Sequence, residues 1–191
     1  TSAYGHLNLR VGNLTVQPTA MYQLISNYIY FDTLARPKQT SLVISVLRLG
    51  GSFSWRWKKF STVNQLYFTA NSGDKILRMP QLLVNSRLAY ELLFKKKLYI
   101  QSGFELHYKS NYYADAYMPV TQQFYLNDNF LVNGYISADA FADLRINRVR
   151  LFVKFSHINQ GLLPPGGYYA SAYFPAMKRV FGFGVNWLLF D

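Results

Sequence analysis

Residues Ser137–Ile158 read SADAFADLRINRVRLFVKFSHI, and this stretch decides the fold. Ala138, Ala140, Ala142, Leu144 and Ile146 alternate with Ser137, Asp139, Phe141, Asp143 and Arg145. After a two-residue break at Asn147-Arg148 the alternation resumes, with Val149, Leu151, Val153, Phe155 and His157 against Arg150, Phe152, Lys154 and Ser156. A strand presents its two faces at period two, so the segment predicts a β-hairpin with one apolar and one charged face. Each arm is about ten residues, enough to cross a bilayer's hydrocarbon core when tilted. The apolar face suits lipid and the Asp/Arg/Lys face suits water. A soluble sheet alternates in the same way, so the reading depends on the pattern recurring along the chain.

It recurs. Residues 3–11 and 14–24 form a first pair around Gly12-Asn13. The long segment 41–57 and the less regular 62–70 flank Lys58-Lys59-Phe60, and Gly50-Gly51 suggests a bend or bulge within the first of them. Residues 81–94 and 98–109 flank Lys95–Lys97, and 179–190 supplies a last strand. Segments 32–40, 71–80, 111–136 and 159–178 read as loops, and no window favours an amphipathic helix. About nine strands result, joined alternately by short and long connections, the asymmetry of bacterial outer-membrane barrels with short periplasmic turns and long extracellular loops. The fold class expected is an all-β antiparallel transmembrane β-barrel. A soluble lipocalin-like barrel or β-sandwich is the alternative, but nothing requires its turns to segregate by end.

Composition is consistent with this reading. Of 191 residues, 50% are apolar, 18% aromatic and only 15% charged, yet no run of 18 apolar residues offers a transmembrane helix. The absence of cysteine excludes disulfides, thiolate zinc sites and cysteine nucleophiles. A net charge of +11 fits nucleic acid, an anionic membrane surface or an anion-attracting lumen. The basic residues are spread over turns and faces, so no nucleic-acid partner is expected. The chain starts at Thr1, not Met, and TSAYGHLNLR has no charged n-region followed by an apolar h-region, so no signal peptide is expected within it. An odd strand count in a fold that favours even numbers then predicts one barrel domain over residues 1–191, truncated at its N-terminus.

Two sets of side chains stand out. Tyr22, Trp55, Trp57, Tyr90, Phe94, Tyr108 and Trp187 share the apolar parity near strand ends and predict interfacial girdles. On the opposite parity lie Arg48, Arg56, Arg87, Lys109, Arg145, Arg150 and Lys154, with Glu91, Glu105, Asp139 and Asp143. These eleven are the expected pore lining. Asp143 should reach Arg150 or Lys154 across the hairpin. The lining is either a salt-bridged wetting wall or a basic constriction that favours anions, because rings of Arg and Lys select for negative solutes. The loop at 111–136 either folds inward to narrow the pore or stays outside it. His6, His107 and His157 are scattered, with His157 on the lipid-facing parity, and no catalytic, metal or cofactor motif is present. No enzyme activity and no cofactor are expected.

Several stretches carry a family likeness: Asn27–Asp32 (NYIYFD), Met79-Pro80, Tyr113–Tyr125 (YADAYMPVTQQFY), Gly134–Phe152 (GYISADAFADLRINRVRLF), His157–Gly161 (HINQG), Tyr173-Phe174-Pro175 and Gly184–Asp191 (GVNWLLFD). Together they resemble the C-terminal part of the "putative porin" family of Bacteroidetes outer membranes, departing from it at Ile136, where Pro is expected. The resemblance implies an outer-membrane barrel passing small, and by the lining charge anionic, solutes. The expected surroundings are outer-membrane lipid, small solutes and envelope protein partners. The competing readings are a structural or secretion-associated barrel with a plugged lumen, and a soluble barrel that binds lipid or a polyanion.

Overall fold

The computed structural model describes residues 1–162 and 168–188, and among these there is no helix. Ten strands form the main sheet: β1 (Ser2–His6), β2 (Leu9–Val11), β3 (Leu14–Ile25), β4 (Ile44–Trp57), β5 (Phe60–Asn71), β6 (Leu82–Phe94), β7 (Leu98–Lys109), β8 (Tyr135–Ile146), β9 (Val149–Ser156) and β10 (Val180–Trp187). Each pairs antiparallel with its neighbour in chain order, save that β1 and β2 both pair with β3. They do so in one register, Ser2 opposite Gln23 and Val11 opposite Leu14. The gap between them faces Pro18, which accepts from Leu7 N–H at 3.1 Å but has no N–H to return. β1 and β2 are therefore one strand interrupted by a proline, which gives the nine strand positions expected. The last strand runs to Trp187, and residues 189–191, which include the end of the expected 179–190 strand, lie outside the described residues.

Period-two alternation fixes the faces. Leu14, Trp55, Thr62, Leu88, Phe104, Ala140, Phe155 and Phe181 are successive cross-strand partners, and therefore share one face. The neighbouring row Trp57, Phe60, Tyr90, Ser102, Ala142, Val153 and Phe183 extends it. Phe183 is 75% exposed, Trp187 64% and Val185 60%, part of a continuous exposed apolar surface of the kind that meets a membrane or another protein. All seven expected girdle aromatics lie on this face, with Trp55 and Trp57 stacked at 6.2 Å. A polar cluster on this face explains why β5 reads poorly. Ser86 donates to Asn64 Oδ1 at 2.6 Å and Asn64 donates to Thr62 Oγ1 at 2.8 Å, so the three partly satisfy one another.

One local expectation needs correction. Gly50-Gly51 is not a bulge, because pairing to both neighbours continues in register through it. The neighbouring backbones come too close for side chains: a Cβ on Gly50 would lie 2.1 Å from Leu66 O, and one on Gly51 2.3 Å from Gln17 O. The loop at 111–136 carries short ladders of its own. Ladders Tyr112–Tyr113/Leu131–Val132 and Ala116–Met118/Gln123–Tyr125 build it, and Ala116 bridges to Ala172 in the 157–179 connection.

The four long connections emerge at one end of the sheet and pack together there. Ala116, Val132 and Ala172 are at most 1% exposed, and Leu126 N–H donates to Phe31 O at 3.0 Å. Arg78 binds both Asn127 O and Asp128. Ile44 and Val46, on the polar parity of β4 at this end, are buried as well. The packed core of the protein is thus its loop cap, whereas the middle of the sheet presents apolar side chains outward. Among the described residues β1 and β10 are edge strands without a second neighbour.

Candidate functional site: the charged inner face

All eleven expected lining residues fall on the face opposite the apolar one, and cross-strand pairing brings most of them into one network. Arg56 on β4 donates to Glu91 Oε1 on β6 at 3.1 Å, and Gln101 on β7 donates to the same oxygen at 3.2 Å. Gln101 Oε1 accepts from Arg87 at 3.5 Å, and Arg87 faces Glu105 at 3.5 Å. Lys154 on β9 then links Glu105 on β7 at 2.8 Å to Asp139 on β8 at 2.9 Å. Asp139 Oδ1 accepts the backbone N–H of His157 at 2.8 Å. A single chain of ion pairs and hydrogen bonds therefore crosses the wall from β4 to the end of β9. Pairing of this density keeps charged groups wet-facing and fixed, and leaves few free to bind a solute.

The remaining lining residues lie outside that chain. Arg150 pairs with Asp143 at 3.1 Å, as the hairpin register predicts, while Lys154 bypasses Asp143 for Asp139 and Glu105. Arg48 donates to Thr69 Oγ1 at 3.1 Å. Lys109 donates to Tyr169 O at 2.7 Å and sits near the rings of Tyr112 and Tyr168, so it ties the wall to the cap. Arg145 lines a cavity of about 150 Å³ with Arg150 and Asn186 near the short-turn end. A larger cavity of about 580 Å³ opens among Arg10, Arg56, Arg87, Glu91, Gln101 and Ser61. Among the described residues no carboxylate pairs with Arg10, Arg48, Lys109 or Arg145.

Sequence reasoning missed Arg10, Gln101 and Ser61, although each has the right parity; attention to charged residues on long strands passed over them. It also missed the reason for two phenylalanines on a charged face. The Arg87 guanidinium lies 4.2 Å above the Phe141 ring, a cation–π contact. Phe152 lies over Gly184, whose added Cβ would meet the ring at 2.3 Å.

His157 lies just past the end of β9, in the connection to β10. Strict alternation places it toward lipid, but its φ of 56° breaks the alternation and turns the ring inward. It is 5% exposed, hydrogen-bonded to Tyr135 Oη at 2.6 Å and Met177 O at 3.1 Å. His107 is less isolated than its sequence position suggests, since it comes together with Glu105 and Asp139 within 4.8 Å. The Lys154 ammonium holds both carboxylates, so the place a metal cation would take is already filled by a positive group.

The cap carries one group of a different kind. Asp115 Oδ1 is buried and without a hydrogen-bond partner among the described residues. Burial pushes its carboxyl above the usual aspartate range, against the opposing charge of Arg78. Their own burial, and then the nearby Asp115 charge, raise the phenols of Tyr28 and Tyr112.

Comparison with known proteins agrees with this geometry. Two structures of the FrpB iron transporter from Neisseria meningitidis, the F3-3 variant and the F5-1 variant in its apoprotein form, superpose with a TM-score of 0.67. Sequence identity is 13% and 14%, so the likeness is one of fold. The match covers 97% of this chain and 30% of the transporter, so the chain spans under a third of that protein's length. No curated protein sequence matches. The model of the family described as "Putative porin" matches residues 1–191, the whole chain, and the protein belongs to that family.

Proposed function

We propose that this chain is part of the wall of a porin in a bacterial outer membrane, of the kind found in Bacteroidetes, and that the complete barrel passes small solutes by passive diffusion with a preference for anions. The observation that carries this reading is the charge balance of the inner face. Every lining carboxylate is already engaged by Arg56, Arg87, Arg150 or Lys154. The cations Arg10, Arg48, Lys109 and Arg145 are surplus and face the same side. A low-dielectric wall focuses that surplus into a positive potential along the permeation path. Reconstitution into planar bilayers under a potassium chloride gradient tests it. Stepwise conductance with a reversal potential on the chloride side is expected, and stepwise conductance selective for potassium overturns the preference.

The loop cap favours a second reading, in which the lumen is closed at the long-loop end until a partner or a cap rearrangement opens it. Ala116, Val132 and Ala172 pack there as tightly as a domain core. Silence in the same bilayers, relieved by deleting Asp115–Asn127, would favour this plugged barrel over the open porin.

A further inference from the structure

The four short turns carry Lys58, Lys59, Lys95, Lys96, Lys97 and Arg148, and no acid. The lysines occupy two turns, β4–β5 and β6–β7, and β5 pairs with β6, so the two lie side by side on one rim. All five lysines are exposed, and among the described residues none forms an ion pair. Turn geometry does not explain them. Lys58, Lys95 and Lys96 have φ of 53°, 48° and 57°, left-handed positions for which Gly or Asn is the cheaper choice. Lysine there gives up turn stability for charge. Nor does the lumen require them, since the inner-face network closes without any of the five.

Their depth points to a ligand. Lys58 Nζ lies 5.1 Å from the Trp57 ring and Lys95 Nζ 5.5 Å from the Phe94 ring, and both rings are on the lipid-facing girdle. Girdle aromatics settle at the headgroup level, so ammonium groups stacked on them lie among headgroup phosphates. Water-facing lysines meant only for solubility would have acids interspersed, as the long-loop end has in Asp32, Asp74, Asp115 and Asp128.

From this we infer that the lysine rim of the β4–β5 and β6–β7 turns is a binding surface for anionic phospholipid headgroups of the leaflet that the short turns face. This rests on the membrane-spanning reading of the sheet and adds an orientation to it: the rim seats the barrel against one leaflet. Attraction of this kind is worth roughly fivefold in affinity per lysine and weakens with ionic strength.

The test uses the whole chain folded into phosphatidylcholine nanodiscs with and without phosphatidylglycerol. Retained lipid is read by native mass spectrometry and insertion by heat-modifiable gel mobility. The rim variant combines Lys58→Asn, Lys95→Asn and Lys96→Asn, which suit the turn, with Lys59→Gln and Lys97→Gln. The control combines Lys38→Gln, Lys75→Gln and Lys178→Gln at the opposite end. Wild type and control should retain phosphatidylglycerol over phosphatidylcholine, and the rim variant should lose that preference while still inserting. Equal retention of both lipids by wild type, or an undiminished preference in the rim variant, overturns the proposal. So does tight, lysine-dependent binding of a polyglutamate peptide without phosphatidylglycerol enrichment, which would assign the rim to an acidic protein. Failure of wild type to insert in either nanodisc would overturn the membrane-spanning reading first, and the rim with it.

Discussion

Val153 and Arg150 lie on the same short strand and present opposite faces, which makes them a sharp pair to perturb. Val153 is opposite Ala142 and Phe183 on the apolar face, midway along β9. An arginine there would project among these side chains into hydrocarbon, and near the midplane that costs roughly 2–4 kcal/mol. At 1.4 kcal/mol per factor of ten, Val153→Arg should shift the folding equilibrium in lipid by roughly 30- to 1,000-fold. Leu151→Arg, one residue pair closer to the turn, should cost less because the penalty falls toward the interface. Arg150→Leu removes only the pair with Asp143 at 3.1 Å, whose guanidinium is 59% exposed, so about 1 kcal/mol or less is at stake. Urea titration of folding into phosphatidylcholine vesicles, followed by gel mobility, measures all three. Equal midpoints for Val153→Arg and Arg150→Leu would refute the face assignment.

Three other perturbations have expected outcomes. Lys154→Met leaves Glu105 and Asp139 facing each other with Arg87 and His107 as the nearest basic groups, so single-channel recordings should show selectivity moving toward cations and urea a loss of about 1–2 kcal/mol. Gly103→Ala would place a Cβ 2.0 Å from Leu88 O, and separating β6 from β7 to relieve it should cost on the order of 1–3 kcal/mol in the same titration. Asp115 has a carboxyl raised by burial, so its folded state holds the proton more tightly than the unfolded chain does. The cap is then most stable below the ordinary aspartate value of 3.8 and loses that increment as pH rises through the higher folded value. Protection factors of amides 112–132, exchange rates corrected for their intrinsic pH dependence, should rise on acidification, and Asp115→Asn should remove that pH dependence; protection that falls at low pH in the wild type would contradict this.

The sheet was legible because alternation is a local property. Any strand long enough to cross a membrane repeats it five or six times, so one irregular residue does not obscure it. The same rule failed where backbone conformation departs from the extended form. At His157 a left-handed residue reverses the parity, and no neighbouring residue type announces it. Gly50-Gly51 carries a genuine signal, but glycine marks close approach as readily as it marks a bulge. The eleven lining residues were legible as a set, while their pairing was not. Which of Asp139 and Asp143 receives Lys154 depends on β7 supplying Glu105 from 49 positions away. The cap was the least legible part, because its two- and three-residue ladders are too short to show a period and are held by contacts such as Ala116 with Ala172.

The central claim, one face in lipid and the other in water, is open to a direct measurement because the chain has no cysteine of its own. Single cysteines placed in turn at positions 149 to 156 can be labelled in the folded, vesicle-inserted protein. A fluorophore at 151, 153 and 155 should be quenched by brominated acyl chains and be silent to iodide. One at 150, 152 and 154 should show the opposite, a strict alternation over the strand. Uniform accessibility to iodide along all eight positions would contradict the account and return the sheet to a water-soluble protein.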